Sequence, residues 1–214
     1  MCEIFDKFTN YAIDIQNGKL YCNNLNYFRK VDETNGIGDK NEGRANFTLT
    51  EFIKNKYHLK TTSIDITLDG TSNFLFCVSI HKPTKNDKTG SLFYPFDMDV
   101  YKKFKNMNYK QLISIGLPDE LISKIISYCE KNKISCIHSE VKYINITNMD
   151  NDLKKDLKDA PYLIAFIKDK KYEWQKEYRF LFYNIPPEML KEHSDYIILN
   201  VGHINSSEIA DLPT

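Results

Sequence analysis

The sequence predicts an α+β fold, a mostly antiparallel mixed sheet with surrounding helices, forming a single domain over residues 1–214. Three observations predict it. Segments with strand and helix periodicity alternate irregularly, and strands return through turns as well as through helices, unlike the regular alternation of a doubly wound parallel sheet. The chain carries 14 Tyr and 13 Phe against one Trp, rings that favour strands and bring a large buried area to a core. No G-x-G-x-x-G or phosphate-binding loop follows any apolar run, so the standard nucleotide folds lack their fingerprint.

The elements follow in order. Residues 5–16 read as a helix, because Phe5, Phe8, Ala12 and Ile15 recur at helical spacing and Gly18 stands where a C-terminal cap belongs. Leu20–Cys22 reads as extended, and a helical turn capped by Asn24 runs through Tyr27 and Phe28. Val31–Gly43 holds three glycines and four carboxylates, a loop with unusual backbone demands. Ser63–Leu68 alternates as a strand, Asp69-Gly70 signals a hairpin, and Asn73–His81 returns as its partner. That second strand sets Phe74, Phe76, Val78 and Ile80 on one face and Leu75, Cys77, Ser79 and His81 on the other.

Lys82–Ser91 reads as a polar loop, with a helix near Asp97–Phe104. Pro118–Lys131 is the strongest helix. It opens with Pro-Asp-Glu and carries the apolar stripe Leu121, Ile122, Ile125, Ile126 and Cys129. Ser135–Ile146 follows as a strand, Asp150–Lys158 as a charged helix, and Tyr162–Ile167 as a buried segment compatible with either class. Tyr178–Tyr183 and Tyr196–Val201 read as strands.

Charge and composition bound the function. With 29 basic and 29 acidic residues the formal net charge is zero, which disfavours generic nucleic-acid binding, where each phosphate contact is an ion pair. Lys102–Lys110 mixes basic and aromatic residues as single-strand binders do, but with zero net charge and no RNA-binding motif it reads as a solvated helix face, single-strand binding being the alternative. The five cysteines are scattered without a C-x-x-C pair, so they read as small buried hydrophobes. The N-terminus lacks the pattern of a signal peptide, and no apolar run approaches the ~20 residues of a membrane span. A cytoplasmic protein without membrane contact is expected.

No metal site is expected. No histidine pair has zinc-ligand spacing, and the 32–43 loop fails the EF-hand pattern at its third, fifth and twelfth positions. Asp39, Asn41 and Glu42 could offer oxygens to a cation, or form an ordinary turn.

The segment Lys168–Tyr183 carries the most chemistry. If it is extended from Gln175, one face reads Gln175, Glu177, Arg179, Leu181 and the other Lys176, Tyr178, Phe180, Phe182. A carboxylate and a guanidinium therefore lead into an apolar strand. In a cleft such a Glu could stabilise a cationic transition state or act as a base. The alternative is a structural ion pair at the mouth of the strand.

The run Lys168, Tyr172, Gln175, Glu177, Arg179 resembles the tail signature of a widespread bacterial family met near defence genes, Lys-x3-Trp-x2-Glu-x-Glu-x-Arg. Tyr172 and Gln175 depart from it. Gly36–Gly43 after Tyr27-Phe-Arg29 is similar to that family's acidic loop, and Cys77-Val-Ser79 to its Cys-Phe-Ser strand. The order of elements also resembles ADP-ribosyltransferase-like domains, which break a nicotinamide–ribose bond through an oxocarbenium-like state. That likeness implies NAD as cofactor, Glu177 as the stabilising carboxylate, and Arg29 or Arg179 against a pyrophosphate. The expected candidate site is thus catalytic Glu177 and Arg179 in a cleft framed by the 39–42 loop, with Arg29, Asp39, Glu42, Lys168, Tyr172 and Gln175 binding ligand. A small intracellular effector acting on NAD or another nucleotide follows, the alternatives being a non-catalytic protein-interaction module and a nucleic-acid-binding module, RNA included.

Overall fold

A computed structural model describes residues 3–31, 38–48, 63–81, 84–85, 92–93, 103–104, 106–145, 151–190 and 195–212. The strands are β1 (Ile4–Thr9), β2 (Lys19–Asn24), β3 (Arg44–Thr48), β4 (Ser63–Thr67), β5 (Phe74–His81), β6 (Thr84–Lys85) and β7 (Leu92–Phe93). They continue with β8 (Gln111–Ile115), β9 (Ser135–Glu140), β10 (Lys142–Ile144), β11 (Ile167–Asp169), β12 (Glu177–Tyr183), β13 (Tyr196–Asn200) and β14 (Ser207–Asp211). Eight of them form one antiparallel sheet in the order β13-β2-β5-β1-β8-β14, with β12 on β5 and β9 on β12. The α+β reading is correct.

The sheet buries both faces at its centre. On one face Phe5, Phe74, Phe76, Val78, Phe180 and Phe182 pack under the 118–132 helix through Leu121, Ile125 and Cys129. That helix starts on its Pro-Asp-Glu turn and ends at Lys133 in the left-handed region. On the other face Leu75 and Leu181 meet Leu25 from the 25–30 helix, with Ala165 and Phe166 from a 3-10 turn over 161–166. Asn24 caps the 25–30 helix by accepting from the Tyr27 N–H at 2.8 Å, as expected. A satellite core joins Ala45 and Ile66 of the β3–β4 ladder to Leu157 of the 151–159 helix.

Three expectations are corrected. Residues 4–9 are a strand, and only Ala12–Gln16 is helical. Pairing with β5 and β8 on both edges outweighs the helical spacing of Phe5 and Phe8, and burial on both faces erases the period-two alternation. The hairpin expected at Asp69-Gly70 does not form. β4 pairs with β3 instead, and Asp69 builds a wider turn by accepting from the Thr71 N–H and hydroxyl while its carbonyl takes Asn73 Nδ2. The 135–146 strand breaks at Val141: β9 stays on β12, whereas β10 leaves to pair in parallel with β11. Residues 111–115 and 207–211, adjacent strands at one end of the sheet, were not expected. Most of the 82–91 loop, the 97–102 part of the next expected helix, and residues 32–37 of the acidic loop lie outside the described residues.

One irregularity positions the site. Along one edge β5 is paired with β12 from Phe74 to Ser79. Along the other it is paired with β2 only at Phe74–Leu75 and with β1 only at Ser79–His81. Residues 76–78 lie in the fork between β1 and β2, where neither strand pairs with β5.

Candidate functional site

The site is assembled from β12 outward. Residues 170–175 form a 3-10 turn, not the start of the strand, and Lys176 takes a left-handed conformation (φ 44°) that ends it. From Glu177 on, the alternation is as expected: Tyr178, Phe180 and Phe182 join the large core, while Glu177, Arg179 and Leu181 face the other side. Gln175 nevertheless reaches the same group of side chains, because the turn folds it back onto Lys168.

Arg179 is 1% exposed, and all three of its nitrogens are engaged. Nη1 and Nη2 donate to the two oxygens of Glu42 at 2.6 and 3.0 Å, Nη1 also donates to the Ala165 carbonyl, and Nε donates to Glu177 Oε2 at 2.6 Å. Lys168 Nζ donates to Glu177 Oε1 and to Gln175 Oε1, both at 2.7 Å. Two carboxylates and two cations thus form a closed chain, Glu42–Arg179–Glu177–Lys168, joining segments far apart in sequence. Such a buried group is tolerated because every charge has a partner.

The electrostatics follow from these contacts. Burial pushes the Glu177 carboxyl up, but the Arg179 and Lys168 charges and their hydrogen bonds outweigh it and hold the pKa at about 2. Burial works to lower Arg179, yet the two carboxylates raise it well above its ordinary value. Glu177 is therefore a fixed anion at neutral pH, unsuited to proton transfer as it stands.

The fork above this chain is a hollow of about 160 Å³. Rings of Tyr21, Tyr27, Phe28, Phe104 and Tyr109 line it together with Lys7, Asn23, Ser79, Lys168, Glu177 and Arg179. Glu177 also lines a second hollow of about 530 Å³ that carries Glu3, His81, Glu140 and Glu173. Lys7 occupies the fork itself, donating from Nζ to the Cys77 carbonyl at 2.5 Å, with the ammonium 4.7 Å from the centre of the Phe76 ring.

The expected site residues separate into two groups. Lys168, Gln175, Glu177 and Arg179 come together and line the hollow. Glu42 joins them through Arg179 from behind, and so the 39–42 loop backs the site without forming its wall. Asp39 is buried in the turn it makes, accepting from the Asn41 N–H at 2.9 Å, and burial raises its pKa. Tyr172 sits under the Lys168 ammonium at 4.7 Å and donates its hydroxyl to the Gly38 carbonyl. Arg29 turns away, donating to the Glu42 and Leu68 carbonyls and to Asn26 Oδ1. It braces the loop and does not line the hollow.

Among the described residues no group of three or more His, Cys, Asp or Glu has an arrangement that could hold a metal ion. Both Glu42 oxygens are occupied by Arg179 and Asp39 Oδ1 by its own turn. Among the described residues no helix is long and apolar enough to cross a membrane.

Sequence reasoning missed Lys7, Asn23, Ser79 and the ring set. Lys7 had a signal, an isolated lysine between Phe5 and Phe8 in a run otherwise buried, which the helical reading of that run concealed. No family model matches the chain, and neither a curated protein nor a solved structure resembles it at a significant level.

Proposed function

We propose that the hollow in the sheet fork binds a nucleotide, with NAD as the leading substrate, and that Glu177 stabilises positive charge developing on its ribose as the nicotinamide bond breaks. The observation that carries this reading is an ionised carboxylate on the wall of a hollow lined by aromatic rings. Rings stack a planar base or nicotinamide, and a fixed anion in a partly dry site favours an oxocarbenium-like state over the neutral ground state. On this reading Glu177 acts by its charge alone, and Arg179 and Lys168 position it. The tail's resemblance to a defence-associated family extends the proposal to a small intracellular effector acting during phage infection.

Incubation of the purified protein with NAD, followed by chromatography for free nicotinamide and for adducts on protein or nucleic acid, tests it. Wild-type protein is expected to release nicotinamide, and Glu177→Gln to abolish release. NAD left intact and unbound at millimolar concentration would refute the reading.

A second reading rests on its own observation: both Glu177 oxygens and every Arg179 nitrogen are already paired within the chain. Under it the four charges brace the 39–42 loop against β12 for contact with a protein or RNA partner. Glu177→Gln would then lower stability and leave ligand binding in the hollow unchanged.

A further inference from the structure

We propose that Lys7 is the anion-receiving group of the hollow, so that its ligand carries a phosphate or carboxylate arm. This rests on the reading of the hollow as a ligand site and adds the charge class of what it takes. Among the described residues three cations line the hollow: Lys7, Lys168 and Arg179. Lys168 and Arg179 are neutralised by carboxylates at 2.7 and 2.6 Å. Lys7 has no carboxylate within ion-pair distance among the described residues. Its contacts are one carbonyl, that of Cys77, and the face of Phe76.

Neither neighbouring acid pairs with Lys7. Asp6 lines the hollow too, on the face it shares with Ser79 and Glu177, and its Oδ1 accepts from the Ser114 hydroxyl at 2.5 Å. Glu177 acts on Lys7 through space, but both its oxygens are held by Lys168 and Arg179. An ammonium offers three donors, and the Cys77 carbonyl takes one of them.

Sheet geometry holds the group in place. Because β1 and β2 diverge along β5, the Cys77 carbonyl lies in the fork, and Lys7 reaches it from β1. Burial lowers the Lys7 pKa, so its charge is held at a cost that an incoming anion would offset. The alternative is a lysine that only fills the fork. It predicts no preference for charged ligands.

The test compares matched pairs of probes. Binding of AMP and adenosine, and of nicotinate and nicotinamide, is measured by quenching of Trp174, which packs on Phe104 of the hollow with ring centres 5.4 Å apart. The first pair reads a phosphate arm and the second a carboxylate. Wild type is expected to bind the charged member of at least one pair about tenfold more tightly, with the advantage shrinking as salt rises. Lys7→Gln should erase the preference while leaving the neutral member's affinity unchanged, and Lys7→Arg should restore it. Equal affinity within both pairs, or a preference that survives in Lys7→Gln, would overturn the assignment while leaving the hollow a ligand site. Failure of all four probes and of NAD to bind would refute the ligand site itself, and this assignment with it. Urea midpoints of both variants identify any loss of fold, and Lys7→Arg keeps the comparison decisive if Lys7→Gln does not fold.

Discussion

Replacing Glu42 by alanine tests the charge chain at the point where its removal leaves the most behind. Glu42 is 1% exposed and supplies both oxygens that face Arg179 Nη1 and Nη2. Breaking a buried pair by deleting one partner costs roughly 3–5 kcal/mol, because the other charge stays buried. Arg179 keeps Glu177 Oε2 and the Ala165 carbonyl, each at 2.6 Å, which puts the expectation near the lower end, about 3 kcal/mol. For a chain of this size that is a fall in Tm of about 6–12 °C. Urea unfolding followed by Trp174 fluorescence and far-UV circular dichroism would measure it, and coincident transitions would license the free energy. The double variant Glu42→Ala/Arg179→Met should lose less than the sum of the singles, since it removes the stranded guanidinium together with its partner. A loss below about 1 kcal/mol, the value of an exposed pair, would show that water already reaches Arg179 and would remove the closed chain from the account.

Two further outcomes are expected. Gly18 has φ +84°, and an added Cβ would lie 2.2 Å from the Gly202 carbonyl oxygen, whereas Gly202 has a similar φ of +85° and open space. Gly202→Ala should therefore cost about 1–2 kcal/mol from backbone strain alone, and Gly18→Ala distinctly more. Equal urea midpoints for the two would contradict the close approach. Asp6 and His81, with Oδ2 and Nε2 3.9 Å apart, have opposed pH responses. Burial raises Asp6 from 3.8 to about 6, against the Ser114 hydrogen bond, so its contribution is present below pH 4 and lost as pH rises to 6. Burial, aided by Lys176, lowers His81 from 6.5 to about 4, so its contribution is present above 6.5 and lost as pH falls to 4. Each is worth about 3 kcal/mol and the two nearly cancel. Asp6→Asn should expose a loss of stability between pH 6.5 and 4 that wild type lacks. A variant as flat as wild type would refute the pairing.

Much of β12 and its chemistry was legible because alternation is a local property. Once Glu177–Tyr183 is extended, Glu177 and Arg179 must share a face and Phe180 and Phe182 must share the opposite one. The 118–132 helix was legible for the same reason, its stripe and its Pro-Asp-Glu start lying within one element. The fork was not. β1 carries rings at helical spacing, and only the strands on either side of it make it extended. Lys7 was lost with that reading, since a lysine on a helix face has no reason to meet the Cys77 carbonyl.

The sequence by itself determined the α+β class, the two faces of β5 and β12, the Asn24 cap and the presence of a carboxylate–guanidinium pair at the start of a buried strand. Each depends on residues a few positions apart, where backbone geometry dictates which side chains meet. Only the tertiary structure decided that Glu42 is the carboxylate closing on Arg179, that Arg29 turns away to brace the loop, and that β1 and β2 part to leave a lysine in the gap. Those outcomes depend on pairing and packing between distant segments, selected by the burial of whole faces, for which the local pattern carries no address.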